Sequence, residues 1–327
     1  ELVSVGDLCA VEGIGDFEIG DTIACPDQPN PIARIAVDEP TLHMLFRIND
    51  SPNAGKSGKF VTSRQIDDRL QRELRSNLAL RVESGDSAEE FKVSGRGLLH
   101  LGILLENMRR EGYELTVGRP KVIEKNIDGV KCEPIELLTI DVDENYVGAA
   151  MELLGIRGGE VQSLEQRGER MHIECEIPAR GLIGLRSHML TATAGEAVMY
   201  HCFHKYAPTR TTMYRRANGV LIATAPGQAT TYAMLNISQR GVLFVEPQEV
   251  IYGGQIVGEN SRDNDLEVNI IKGKAFSNVR ESNKEATTVL KASREITLES
   301  SLEYIQDDEL VEITPDAIRV RKKELSE

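Results

Sequence analysis

Residues 96–101 read Arg-Gly-Leu-Leu-His-Leu and residues 180–185 read Arg-Gly-Leu-Ile-Gly-Leu, so one short string recurs at an offset of 84 residues. In both places a strand-like run precedes the string and an amphipathic stretch follows it, ending at Gly112 in the first copy and at Gly195 in the second. A repeat at a fixed distance indicates two copies of one supersecondary unit. The string therefore predicts two related units, each with a helix that begins at its Arg-Gly pair.

The residues around the first copy predict the element order βαββαβ. Leu42 to Ile48 has the pattern of a strand, and Thr62 with Gln65 has the spacing of a capping box that begins a helix. The other predicted elements are the helix of the first repeat and strands at 78–82, 91–93 and 113–117. This order is typical of the ferredoxin-like split motif.

The second copy lies in a similar series of elements. The pattern predicts helices at 146–154 and from Arg180, with strands at 135–142, 161–164, 171–177 and 197–203. Before both units, Gly-Asp turns followed by apolar runs at 6–11 and 20–24 are typical of the last strands of a β-barrel. From about Pro208 the chain is rich in predicted strands, with one late helix at 298–305.

The sequence therefore predicts an α+β chain of four parts. They are a β-barrel remnant (1–37), two tandem ferredoxin-like domains (38–120 and 121–207) and a strand-rich C-terminal domain (208–327). Below, residues 38–120 are called the first unit, residues 121–207 the second unit and residues 208–327 the C-terminal region.

Composition limits the classes of function. The chain has 327 residues and a net charge of −14, from 52 acidic and 38 basic side chains. Phosphate contacts need clustered cations, so this balance argues against indiscriminate binding of nucleic acid, and no DNA partner is expected. No apolar run approaches the ~20 residues that span a bilayer, so no membrane partner is expected. Five scattered cysteines fit a reducing cytoplasm, and the start at Glu1 predicts that part of the protein precedes this chain.

One stretch of the chain is unusually poor in acidic residues. No Asp or Glu lies between Glu196 and Glu246, and the cations of this window are Lys205, Arg210, Arg215, Arg216 and Arg240. Because the chain as a whole is acidic, this basic island is a candidate docking face for a polyanion such as RNA.

A second candidate for RNA contact spans residues 258–284. Its cations are Arg262, Lys272, Lys274 and Arg280, and they alternate with asparagines, serines and a glycine. Cationic and amide side chains on such a loop suit contacts with phosphate and sugar. Asp263, Asp265 and Glu267 share the stretch, so a plain solvated hairpin remains the alternative.

Other motifs resemble a phosphate-binding loop or zinc ligands but lack residues that those sites need. Ala54-Gly55-Lys56-Ser57 ends like a phosphate-binding loop, but Asp50 stands where that loop needs glycine. Cys202 and His204 share one face of a predicted strand but supply only two ligands, and His172 and Cys175 fall on opposite faces, so neither set suits zinc. We predict no metal-ligating residues and no catalytic residues in this chain.

Several strings resemble one family in particular. The two tandem units resemble domains III and V of the translational GTPases, and residues 58–66, 106–112, 180–184, 261–266 and 307–312 resemble the BipA/TypA family. The resemblance implies the C-terminal portion of a ribosome-binding factor of the bacterial cytoplasm, linked to stress or cold adaptation and to large-subunit assembly. GTP and Mg²⁺ would bind only to an N-terminal domain that this chain lacks, so the chain itself would not be an enzyme. The implied partners are ribosomal RNA (rRNA) and the acceptor end of A-site tRNA, contacted through the loop at 261–282.

Two questions stay open at this stage. Tandem ferredoxin-like units also form regulatory modules that bind a small effector, which is the alternative function. In addition, Arg96 and Arg180 each lie at a predicted helix N-terminus, where the helix dipole disfavours a cation. Their partner is therefore expected to be either an RNA phosphate or a neighbouring carboxylate.

Overall fold

The computed structural model describes residues 3–13, 15, 19–34, 39–210, 216–273 and 290–325. Within these ranges the chain is α+β, with more strand than helix. The helices of the described residues are α1 (Ser63–Leu74), α2 (Leu98–Glu111), α3 (Val147–Ile156), α4 (Ala179–Leu182), α5 (Leu185–Ala192), α6 (Thr231–Ile237) and α7 (Leu298–Tyr304).

The first unit contains four main strands and two helices. Its strands are β1 (Leu42–Ile48), β2 (Arg81–Ser84), β3 (Glu90–Gly95) and β4 (Leu115–Gly118), followed by the short β5 (Lys121–Val122), which pairs with β1. The main strands lie in the order β4-β1-β3-β2 and pair antiparallel. Helices α1 and α2 follow β1 and β3, so the chain runs in the order βαββαβ.

Local signals fix the ends of the two helices in the first unit. The Thr62 hydroxyl accepts a hydrogen bond from the Gln65 N–H, and the Gln65 side chain accepts one from the Thr62 N–H, which confirms the predicted capping box. Helix α2 ends at Gly112, whose φ of +96° favours glycine. Leu101, Leu105 and Met108 of α2 are fully buried against the sheet.

The second unit repeats this order of elements. Its strands are β6 (Lys125–Ile127), β7 (Val130–Asp143), β8 (Glu160–Arg167), β9 (Arg170–Pro178) and β10 (Val198–Pro208). They lie in the order β10-β7-β9-β8, with the short β6 also paired to β7. The core of the unit is formed by Leu138 and Ile140 of the sheet packed against Leu154, Leu185 and Met189 of the helices.

The second copy of the repeated string does not begin one continuous helix. Arg180 and Gly181 lie in the short α4, and the chain leaves the helical conformation at Ile183. Gly184 has a φ of +70°, and α5 begins directly after it. The prediction of a single helix from Arg180 is therefore wrong, because a left-handed glycine separates two helices.

The C-terminal region shares a sheet with the first unit. Its strands are β11 (Val220–Ala223), β12 (Gly227–Gln228), β13 (Gly241–Leu243), β14 (Val250–Ile251), β15 (Gln255–Asn260), β16 (Leu266–Val268), β17 (Glu309–Ile313) and β18 (Ile318–Lys322). β17 pairs antiparallel with β4, so the sheet continues in the order β16-β11-β15-β18-β17-β4-β1-β3-β2. Leu302 of α7 and Val311 of β17 belong to the same core as Met44 and Leu105. The first unit and part of the C-terminal region therefore share one core, while Leu221, Met234 and Val257 belong to a second core within the C-terminal region.

The N-terminal part differs from its prediction. Among residues 3–13, 15 and 19–34 none lies in a strand and every one is exposed. The strands expected at 6–11 and 20–24 are therefore not formed in this structure. A short strand is not stable without a partner strand and an apolar surface to cover, and the described part of the chain offers these segments neither.

Candidate nucleic-acid interface

Lys205 and Arg210 of the acid-free window are paired with carboxylates in the structure. The Lys205 Nζ lies 2.8 Å from Oε2 of Glu176, whose pKa is lowered by that ammonium group. Arg210 places its guanidinium 2.9 Å from Oε1 of Glu160 and donates its backbone N–H to Glu133 at 2.9 Å. The carboxylates come from elements outside the window, so the charges of Lys205 and Arg210 are neutralised in three dimensions.

Arg216 is held inside the protein. Its guanidinium makes two hydrogen bonds to Glu309, of 3.0 Å and 2.8 Å, and lies 4.3 Å from the ring centroid of Tyr304. Burial alone would lower the pKa of Arg216, but the carboxylate of Glu309 raises it above its ordinary value. Only 13% of the Arg216 side chain is exposed and none of Glu309. We therefore assign Arg216 to the C-terminal core rather than to RNA contact; Arg215 lies outside the described residues.

Two of the residues predicted to contact RNA are accessible at the surface. Arg262 and Lys272 are exposed, and neither has a carboxylate partner among the residues that the structure describes. Arg262 precedes β16 and Lys272 follows it. Lys274 and Arg280 lie outside the described residues.

Arg240, a cation of the acid-free window, is a neighbour of Arg262, which the sequence did not indicate. The Ser261 N–H donates to the Arg240 carbonyl at 2.8 Å, which places the two arginines in adjacent loops. Arg240 is exposed and has no carboxylate partner within the described ranges. The pairing of β13 with β15 brings these loops together, and no local sequence pattern predicts that pairing.

The loop at residues 54–57, whose sequence resembles a phosphate-binding loop, binds a carboxylate of the chain itself. Glu114 is fully buried and accepts the backbone N–H groups of Gly55 (2.7 Å), Ser57 (2.8 Å) and Gly58 (2.5 Å). Burial would raise the pKa of Glu114, but these amide donors lower it below its ordinary value. The amides that could receive a phosphate are therefore already used.

The two arginines of the repeat differ. Arg180 Nε lies 2.6 Å from Oε2 of the buried Glu133, so the partner of Arg180 is a carboxylate. Arg96 is exposed and has no carboxylate partner in the part of the chain that the structure describes. In the second unit, Arg180 of the repeated string therefore stabilises the fold through its ion pair with Glu133.

The described residues offer neither a metal site nor a membrane-spanning helix. No group of three or more His, Cys, Asp or Glu side chains there is placed to hold a metal ion. Every helix in these ranges is too short or too polar to cross a bilayer.

Comparison with known families defines the class of protein. The model described as "Elongation factor G C-terminus" matches residues 130–217, and the model described as "TypA/BipA C-terminal domain" matches residues 218–327. These two matches assign residues 130–327 to the C-terminal region of the translational GTPase family.

Curated relatives identify the family more closely. Three proteins named "Large ribosomal subunit assembly factor BipA" are similar over the whole chain. They come from Synechocystis (51% identical, covering 98% of this chain and 54% of the relative), Haemophilus influenzae (48%, 100% and 53%) and Bacillus subtilis (47%, 100% and 54%). The chain spans about half the length of these relatives. It belongs to the TypA/BipA family.

A solved protein from Thermus thermophilus is 15% identical over 56% of this chain and 43% of its own. Its TM-score of 0.35 is too low to support an argument about the fold.

Proposed function

We propose that this chain binds rRNA while the large ribosomal subunit is assembled, through exposed cations of its C-terminal region. One observation carries the proposal: Arg240, Arg262 and Lys272 are exposed and have no carboxylate partner among the described residues, on a chain of net charge −14. Cations already paired within the protein gain little from a phosphate, whereas unpaired ones release counterions from the RNA. The names of the relatives supply the ribosome as the source of that RNA.

The finer parts of the proposal follow from the family. We propose that residues 38–120 and 121–207 are ferredoxin-like domains, supported by the order βαββαβ and by the matching strand orders of both sheets. Residues 1–37 would belong to a preceding β-barrel domain, and residues 208–327 would form a family-specific domain that extends the sheet of the first unit.

The resemblance to the family also gives the cellular location, the process and the further partner that we propose for the protein. The protein would act in the bacterial cytoplasm, in stress or cold adaptation, with the acceptor end of A-site tRNA as a further partner. GTP and Mg²⁺ would bind to a part of the protein outside this chain. This chain would therefore have no catalytic role of its own.

Co-sedimentation with ribosomal subunits across a salt series tests the proposal. We expect Arg262→Ala and Lys272→Ala each to weaken binding and to reduce the log–log salt slope by roughly 0.7–0.9. Lys92→Ala is the matched control, since Lys92 is a surface cation of the first unit paired with Glu83. Wild-type slope and affinity in both loop variants would refute the assigned contacts.

A small-effector module is the second candidate, and one observation favours it. A cleft of about 780 Å³ lies between α2, α4 and α7, and Leu99, Ile103 and Leu182 give it an apolar surface. Its volume falls within the roughly 300–1,000 Å³ of small-molecule sites. Thermal stabilisation by small metabolites, without any shift on adding ribosomes, would favour this function over RNA binding.

A further inference from the structure

The edge strand β10 of the second unit has an unpaired side. It pairs with β7 on one side, and no strand within the described residues pairs with the other. From Val198 to Phe203 the pairing with β7 keeps an unbroken register. Alternate residues of an antiparallel strand direct both N–H and C=O to the same side. Half of these six residues, which is three, therefore present a free donor and acceptor at the edge of the sheet.

The other edges are protected, whereas this stretch is not. Proteins protect exposed edges with short strands, bulges, proline and charged side chains. The opposite edge strand, β8, carries Glu160, Glu165 and Arg167. β2 and β16, at the two ends of the larger sheet, have only four and three residues. Residues 198–203 contain no Asp, Glu, Lys, Arg or Pro, and all of them except Met199 are exposed. An edge of this kind is a site at which a further strand can pair.

The register of β10 with β7 separates its side chains into two rows. Met199 lies opposite Ile140 of the core beneath the helices, so Met199 and His201 face the helix side. The row on the opposite face consists of Val198, Tyr200 and Cys202. Val198 and Tyr200 are 56% and 57% exposed, which leaves apolar and aromatic surface for β-branched side chains of a neighbouring strand.

On the helix side, a pocket of about 270 Å³ lies against the strand. Met199 and His201 line it from β10, Leu182 from α4 and Arg186 from α5. His201 already contacts the carboxylate of Glu136. Arg186 is exposed, and the described part of the chain provides no carboxylate partner for it. It is also the second residue of α5, where the helix dipole disfavours a cation. A carboxylate on the helix-side row of an added strand would compensate this charge.

We propose that residues 198–203 bind an extended segment of a partner protein, which joins the sheet as a further strand and directs an acidic side chain toward Arg186. Alternating backbone donors and acceptors match another extended polypeptide. A second copy of this chain lacks the required charge, because residues 198–203 contain no carboxylate to pair with Arg186. The surface lies on a different element from Arg262 and Lys272, so the inference goes beyond the proposed function and does not depend on it.

A synthetic peptide tests the pairing of the backbone. The probe is acetylated Thr-Val-Glu-Val-Thr-Val, whose valines form one row and whose glutamate lies in the other. In hydrogen exchange of the whole chain, it should slow exchange within residues 198–203 and leave β8 unchanged. N-methylation of the three valine amides in one peptide, and of the other three amides in a second, should weaken binding at least about tenfold in only one of the two. Only one edge of the peptide faces β10, so the other can lose its donors without effect.

A change of charge tests the acidic side chain. By fluorescence anisotropy, the wild type should bind the glutamate peptide about 2- to 5-fold more tightly than Thr-Val-Lys-Val-Thr-Val, and Arg186→Glu should reverse that preference. Tyr200→Ser should weaken binding of both peptides by about 1.5- to 5-fold. Arg75→Glu is the matched control, because Arg75 is an exposed arginine at the end of α1 and does not line the pocket.

Several results would overturn the proposal. They are a lack of binding and of protection at millimolar peptide, equal affinity for both N-methylated peptides and the parent, and an unchanged charge preference in Arg186→Glu. A concentration-dependent dimer that protects residues 198–203 without any peptide would assign the edge to self-pairing instead. Each of these results leaves the salt slope of Arg262→Ala on the ribosome untouched, so the failure of this inference is distinct from the failure of RNA binding.

Discussion

Arg180 and Glu133 form an ion pair that joins α4 to β7, with Nε of Arg180 2.6 Å from Oε2 of Glu133. The Glu133 side chain is fully buried, and that of Arg180 is 17% exposed. The Arg180 guanidinium also donates to the Arg210 carbonyl at 2.6 Å, so the pair holds the segment after β10 in place. The cation that the helix dipole disfavours is thus compensated from within the protein.

The ion pair predicts different results for the two arginines of the repeat. Arg180→Ala should lower the free energy of unfolding by about 3–5 kcal/mol, because it leaves a buried carboxylate without its partner. Arg96→Ala should change it by less than about 0.5 kcal/mol, because Arg96 is exposed. Urea unfolding of both variants, together with hydrogen exchange in the unit that carries each substitution, measures both effects. Equal losses in the two variants would contradict the structural role of the pair.

The two glycines of the repeat should also differ. A Cβ on Gly181 would lie 2.6 Å from the Arg157 carbonyl oxygen and 3.1 Å from Cγ1 of Ile177, whereas a Cβ on Gly97 meets nothing within 4 Å. Gly181→Ser should therefore destabilise the chain by about 1–3 kcal/mol through overpacking. Gly97→Ser should be neutral or stabilising, because serine is a preferred residue at a helix N-cap. Thermal melts of the two variants compare them directly, and a tolerated Gly181→Ser would refute the close approach of α4.

Features set by neighbouring residues were predictable from the sequence. The capping box of Thr62 and Gln65, the helix end at Gly112 and the order of elements in both units depend on short-range patterns. The break at Gly184 was missed because the string around it also fits a continuous helix. The pairing of β4 with β17 could not be predicted, because either strand has a pattern that suits many partners.

The candidate site was less predictable than the fold. Charge along a sequence is local, but charge on a surface depends on which elements fold together. Lys205, Arg210 and Arg216 lie in a window without acids, yet their carboxylate partners come from β7, β8, β9 and β17. Arg240 and Arg262 become neighbours on the surface because β13 pairs with β15, which is also a contact between elements that no local sequence pattern fixes.

Glu114 predicts a dependence of stability on acid pH. Burial would raise its pKa, but the amides of Gly58, Gly55 and Ser57 lower it, so the ionised form stabilises the fold. That contribution is present above the ordinary pKa of about 4.3 and is lost as the pH falls through the lowered value. Glu114→Gln should be less stable than the wild type by about 1.5–3 kcal/mol at neutral pH, because its hydrogen bonds are to a charged acceptor.

Melting temperatures between about pH 3 and pH 7 measure this effect. The gap between wild type and Glu114→Gln should narrow toward low pH, where the wild-type carboxyl is also neutral. Glu83→Gln is the control, because Glu83 is an exposed carboxylate of β2 and its loss should leave the profile unchanged. A constant gap across the range would mean that the charge of Glu114 does not hold the loop.

Arg216 and Lys205 test whether internally paired cations contact RNA. Arg216→Ala should lower the free energy of unfolding by about 3–5 kcal/mol, because it leaves Glu309 buried and unpaired. Arg216→Lys keeps the charge but loses the two-point contact with Glu309, so it should be destabilised less and give a folded variant for binding. In co-sedimentation, Arg216→Lys and Lys205→Ala should keep the wild-type salt slope, whereas Arg262→Ala should reduce it. If Lys205→Ala reduces the slope by roughly 0.7–0.9 as well, the pairing with Glu176 breaks on the ribosome and the acid-free window is an RNA surface after all.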